Sequence, residues 1–295
     1  MSFDQAVIRG PLLLVLVAFL TACATVAEQD PTTTSPLLQQ ISASATGDFS
    51  TSLDDTDPAL LLTVSSEPLV PANRELTLNL FQQSSDAPAR RFRLSLKTTD
   101  VASAYPLSGT LAPLLPNGRA IAECPVVVRT SSMGLSVMTE AASCQFGTGN
   151  ERVGLAKELL FSGSQVRIAD RLVSLAQTGQ DDVPLTELRF YRLNRYTGWI
   201  GVSEGGQWRI AREIQVDTAN GRIEPLDAAG MSLGVIIQLD QTMLEGASEQ
   251  PIVRLTILNA KEETTLARSW SEPGAQRIGI ATPQVQVGLE RVRTP

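Results

Sequence analysis

Histidine is absent from all 295 residues. That gap removes the Ser-His-Asp and Cys-His nucleophile systems and every zinc or iron site built on imidazole. Catalysis would have to run on carboxylates, Lys, Arg, Tyr or Ser. Cysteine is scarce: Cys23, then Cys124 and Cys144, twenty positions apart. Aromatic residues make up 5%. Positive charge is short too, with 24 Lys and Arg against 31 Asp and Glu, a net charge of −7. This argues against nucleic acid as a partner, since phosphate backbones call for basic patches. No apolar run reaches the roughly 20 residues of a membrane-spanning helix; the N-terminal run Pro11 to Leu20 has ten.

That run suits the apolar segment of a secretory signal. Leu20-Thr21-Ala22-Cys23 follows it and resembles the bacterial lipoprotein box. The resemblance implies cleavage before Cys23 and acylation of that cysteine with diacylglycerol and palmitate. Ala24, rather than Asp, after the cysteine implies sorting to the outer membrane of a Gram-negative cell. Several acyl chains anchor stably, because each buried methylene contributes about 0.8 kcal/mol. Residues 1–22 are then the signal peptide. Residues 23–36, with "ATVAEQDPTTTSP", form the lipidated Cys and a flexible tether. Outside the cytoplasm disulfides persist, so the same resemblance implies a Cys124–Cys144 bond. The alternative, a metal pair, is two ligands short of a structural zinc site.

The rest of the chain reads as strands. "RELTLNLFQQ" places Leu76, Leu78 and Leu80 on one face, and "RRFRLSLKT" sets Phe92, Leu94 and Leu96 against Arg91, Arg93, Ser95 and Lys97. "CPVVVRT" and "GLSVMTE" form a strand pair that brings the cysteines together. Asn117-Gly118 and Asn220-Gly221 are hairpin signals. "ERVGLAKELLFSG" is ambiguous, since Ala, Lys, Glu and Leu favour helix. Asp57-Pro58 reads as a helix start. The acidic cluster around it lacks the Gly and the later Glu of an EF-hand loop. About six strands follow Tyr196, spaced as in a sandwich or small barrel. "NGRAIAECPVVVRTSSMGL" and "NGRIEPLDAAGMSLGVIIQL" share a faint order of features, for which a degenerate duplication or a common β composition accounts.

Between Pro36 and Arg195 the order of features resembles phycobilin chromophore lyases of the CpcT/CpeT type and their secreted bacterial relatives. Gly47-Asp48-Phe49-Ser50 stands for the early motif and "APARRFRLSL" for the Arg-rich strand. Cys124-Pro125-Val126, Thr139 and Cys144 match the cysteine segment. Ser164, Val166, Ile168, Asp170 and Arg171 match the last one. The family's Trp-Gly and the Gly of its Asp-Arg-Gly are missing. The resemblance implies a calycin-like antiparallel β-barrel over residues 37–195, with "AKELL" as strand. A β-rich domain over 196–295, a small barrel or sandwich, makes the whole chain all-β.

The candidate ligand-binding residues are Arg91, Arg93, Asp170 and Arg171. With Arg90, the arginines suit a propionate or phosphate inside a barrel. Alternation instead puts Arg91 and Arg93 on a solvated outer face, and Asp170-Arg171 also suits a turn with a surface ion pair. Gly201-Val202-Ser203-Glu204-Gly205 matches a nucleophile elbow, but without a histidine it reads as a Gly-rich hairpin. Tyr196, Trp199 and Trp208 suit an interdomain contact or the edge of a pocket, and core packing more readily than either. No catalytic residue, metal or cofactor is expected. The expected function is a non-catalytic envelope lipoprotein, held to the membrane by its lipid, that binds a small ligand or an envelope protein. The alternative is a CpcT/CpeT-type lyase that attaches a linear tetrapyrrole to a protein cysteine.

Overall fold

The computed structural model describes residues 35–51, 60–69, 74–99, 106–132, 134–149, 152–174, 186–219, 221–243 and 251–292. Cys23 and the Asp57-Pro58 helix start lie outside these residues. The fold is all-β, with 64% strand and 5% helix.

The first unit begins with helix α1 (Pro36–Ala45), which the sequence reading missed. Pro36 suits a first helical turn, whose N–H has no partner anyway. Leu38, Ile41 and Ala45 recur at helical spacing and bury against the barrel core. Strands β1 (Gly47–Ser50), β2 (Leu61–Ser66), β3 (Glu75–Gln83), β4 (Arg90–Thr98), β5 (Leu107–Leu114), β6 (Cys124–Ser131) and β7 (Gly134–Thr139) follow. Then come β8 (Gln145–Phe146), β9 (Val153–Phe161), β10 (Gln165–Ser174) and β11 (Thr186–Arg192). Antiparallel pairing runs β1 to β7 in order, then β9, β10 and β11. Phe49↔Arg192 and Ser50↔Tyr191 join β11 back to β1 and close a ten-stranded barrel. Closure leaves no free edge.

Alternation fills the interior. Leu76, Leu78 and Leu80 of β3 meet Phe92, Leu94 and Leu96 of β4 inside, with Leu159, Phe161, Val166, Ile168 and Phe190 from the far wall. β9 settles the "AKELL" ambiguity as strand. It pairs with β7 on one side and β10 on the other, and these ladders override its local helix preference.

Arg192 fixes the helix to the barrel. Its guanidinium donates to Thr46 O at 2.6 Å, to Ser44 O at 2.5 Å and, through Nε, to Gly163 O. It also lies 4.7 Å from the Phe49 ring centre.

Among the described residues eight strands follow Asn194. These are β12 (Arg195–Glu204), β13 (Gln207–Asp217), β14 (Gly221–Ile223), β15 (Val235–Thr242), β16 (Ile252–Asn259), β17 (Thr265–Ser271), β18 (Arg277–Ala281) and β19 (Val285–Arg291). They make two four-stranded sheets, β13-β12-β19-β18 and β14-β15-β16-β17. One core, including Tyr196, Ile200, Leu239, Leu255, Val287 and Leu289, lies between them as in a sandwich. Gly205 (φ 59°) and Gly206 (φ 84°) form the tight β12–β13 turn, so the Gly-x-Ser-x-Gly match is a hairpin. Asn220 of the second hairpin signal lies outside the described residues, and the strands on either side of it, β13 and β14, belong to different sheets. The two Asn-Gly-Arg segments also part company: the first leads into the β6–β7 hairpin, the second into β14 and a long excursion before β15.

Candidate functional site

Two places bring chemistry-bearing residues together. One is the barrel end where β4 starts. Phe92 faces inward, and Arg90 shares its side of β4 at the strand's end. Val166 and Ile168 face inward, and Asp170 continues that row on β10. Lys157 takes an inward position between Leu155 and Leu159 on β9. The Lys157 side chain is wholly buried, and its Nζ donates to Asp170 Oδ2 at 2.8 Å. Arg90 donates to the same oxygen at 2.8 Å. The Phe92 ring lies 4.2 Å from Lys157 Nζ. Thr139 Oγ1 accepts the Lys157 backbone N–H at 3.0 Å and donates to Leu155 O at 2.8 Å.

Burial pushes the Lys157 ammonium down to about 8, against the pull of Asp170. Burial alone would raise Asp170. Lys157 and Arg90 outweigh it and hold that carboxyl below its ordinary value. The cluster is a satisfied ion triad with an apolar floor.

Arg91, Arg93 and Arg171 are elsewhere. Arg91 and Arg93 are exposed on the outer side of β4. Arg91 donates to Pro116 O at 3.2 Å and lies over Phe81 at 5.0 Å. Arg171 follows Asp170 on a strand, so the two side chains point to opposite faces and do not form a surface pair. Of the four candidates, only Asp170 joins the inner cluster. Lys157 was missed, although a charge at an inward position of an apolar strand was a visible signal.

The disulfide lies at the same barrel end. Cys124 and Cys144 are bonded, with Cα atoms 4.6 Å apart, and pack with Leu155. Cys124 opens β6, but Cys144 follows the turn after β7. The bond therefore ties strand to loop rather than strand to strand.

The second place is the outer face of the β13-β12-β19-β18 sheet. Tryptophan is usually well buried. All three tryptophans of this chain are exposed: Trp199 at 40%, Trp208 at 43% and Trp270 at 56%. Trp199 and Trp208 share this face, which corrects the expectation of core packing; only Tyr196 is inside.

Register aligns three rows across the sheet. Arg212, Trp199, Gly288 and Gly279 form the middle row. Gln215, Thr197, Glu290 and Arg277 lie on one side of it. Ile210, Gly201, Gln286 and Ala281 lie on the other. The indole of Trp199 rests on Gly288, where a Cβ would stand 2.8 Å from its Nε1. The ring of Trp208 rests on Gly201 in the same way, at 3.1 Å. Glycine at both places lets the rings lie against the sheet.

A β-bulge at Gly198/Trp199 leaves Glu213 as the extra residue on β13, with φ 55°. That left-handed conformation costs a non-glycine residue about 1–2 kcal/mol, and such strain clusters at functional sites. The result is an open trough of about 640 Å³, walled by Trp199, Arg212, Glu213, Arg277 and Glu290. Arg277 pairs with Glu290 at 2.9 Å. Arg212 and Glu213 have no ion-pair or hydrogen-bond partner among the described residues.

No protein-family model, no curated protein and no solved structure matches the chain. Among the described residues no cluster of His, Cys, Asp or Glu could hold a metal ion, and no helix is long and apolar enough to cross a membrane.

Proposed function

We propose that this is a non-catalytic, lipid-anchored protein of the cell envelope. It binds its partner on the outer face of the β13-β12-β19-β18 sheet rather than inside the barrel. The observation that carries this reading is the exposure of Trp199 and Trp208 side by side with Ile210. An exposed aromatic patch is a mark of an interaction site. The barrel interior, by contrast, is packed with leucine, valine and phenylalanine. The lipoprotein-like box at Cys23 and the Cys124–Cys144 bond support an extracytoplasmic location. No observation favours the chromophore-lyase reading. Arg91 and Arg93, which would hold a tetrapyrrole's propionates, face away from the interior.

Single-cysteine labelling tests the reading. Ile210→Cys reports on the tryptophan face and Arg129→Cys on the exposed outside of β6. In purified protein both react with a maleimide. In the native envelope fraction the label at 210 is expected to be lost and that at 129 kept. Equal reactivity at both positions in the envelope would overturn it.

A further inference from the structure

We infer that the tryptophan face binds an uncharged glycan chain; the inference rests on the proposed binding role of that face. Three features select the chemistry. First, Trp199 and Trp208 lie over glycines and leave a ring face open. Stacked rings accept a ligand with flat, weakly polar faces, which a pyranose presents through its C–H groups.

Second, the flanking groups are balanced. Arg212 and Arg277 only donate hydrogen bonds, and ionised Glu213 and Glu290 only accept them. Two positive and two negative side chains in one trough do not select an ion. They suit hydroxyls, which donate and accept at once. Phosphate-rich ligands and anionic membrane surfaces call for a positive excess, and the chain as a whole carries −7. A strand-like peptide would add to a sheet edge through its backbone; here the exposed feature is the face.

Third, the platforms are spaced along a line. Trp199 stands opposite Arg212 and Trp208 opposite Ser203. Their rings rest on Gly288 and Gly201, one strand across and two residues along from each other, so the two platforms lie about 8 Å apart. A polymer of several sugar rings can meet both, and a single sugar cannot.

The test uses the full chain carrying Cys23→Ser, with the hexamer of N-acetylglucosamine and cellohexaose as soluble probes and purified peptidoglycan sacculi as an insoluble one. Tryptophan emission reports binding of the first two, and co-sedimentation the third. We expect at least one probe to bind. Trp199→Ala and Trp208→Ala should each weaken that binding tenfold or more, and Trp270→Ala should not. Gly288→Ala keeps every tryptophan but displaces the Trp199 ring, and should also weaken binding with an unchanged melting curve. Binding of sacculi assigns the envelope as the source, and binding of either oligosaccharide without sacculi assigns an external polysaccharide. No binding to any probe, binding indifferent to Trp199→Ala and Trp208→Ala, or preferential binding to lipid vesicles would overturn the inference. If position 210 is still protected in the envelope after such a failure, the face binds something other than a glycan. If it is not protected, the underlying reading fails as well.

Discussion

Lys157 should make the barrel more stable at alkaline pH than at neutral pH. Its folded value of about 8 lies below the value of about 10.4 for an unfolded lysine. Between those values the unfolded chain holds a proton that the folded chain has released, so stability rises with pH. Below pH 8 both states are charged and the slope vanishes. About 2.5 pKa units at about 1.4 kcal/mol each give a rise of ~3 kcal/mol from pH 8 to 10.5. The raised pKa of Tyr196, caused by burial, acts in the opposite sense at the top of this window. The comparison of wild type with Lys157→Met cancels it. Lys157→Met should match or exceed wild-type stability at pH 7, because an apolar chain replaces a buried ammonium while Asp170 keeps Arg90. Asp170→Asn should lose about 3–5 kcal/mol at pH 7, because Lys157 is left buried without its counter-charge. The double variant should recover most of that loss. Urea unfolding followed by far-UV circular dichroism at pH 7 and 10 measures all four proteins with the disulfide intact. An equal pH slope in wild type and Lys157→Met, or an Asp170→Asn no weaker than Lys157→Met, would refute the reasoning.

Reduction of Cys124–Cys144, or replacement of both by Ser, opens a loop of 20 residues and should cost about 3 kcal/mol, read as a lower urea midpoint. Glu213→Gly relieves a left-handed glutamate and should raise stability by up to about 1 kcal/mol, while weakening glycan binding; a melting curve and a fluorescence titration separate the two effects. Cys23→Ser should abolish palmitate labelling and move the protein from the membrane to the soluble fraction, and retention in the membrane would remove the lipid anchor from the proposal.

Much of the fold was legible as parity. Leu76, Leu78 and Leu80 alternate without a break, and β3 and β4 follow directly. β9 was obscured because its residues individually prefer helix, and only its two partner strands decide otherwise. α1 was hidden by its context, a Thr- and Pro-rich stretch that reads as tether up to Pro36. The spacing of Leu38, Ile41 and Ala45 was nonetheless a helical signal. The inner charge cluster was half legible. Asp170 shares the parity of Val166 and Ile168, and Lys157 that of Leu155 and Leu159. Their meeting with Arg90 depends on barrel closure, which no local pattern encodes. The tryptophan face was the least legible part. Even-numbered positions Tyr196 and Ile200 point inward, so Trp199 had to point out. The glycine beneath it, Gly288, comes from a strand almost ninety residues later.

Among the described residues only Phe49↔Arg192 and Ser50↔Tyr191 close the barrel, and these pairs join strands from opposite ends of the unit. Every other seam forms between strands close in sequence, but this one must wait until Arg192 has arrived. Closing so long a loop carries a large entropic cost before any contact compensates it. The seam should therefore be the last part of the barrel to fold and the first to open. Until then β1 and β11 present bare edges, and α1 has no guanidinium to hold it. Arg192 acts as a latch in time as well as in space: its bonds to Ser44 O and Thr46 O form only when the ring is complete.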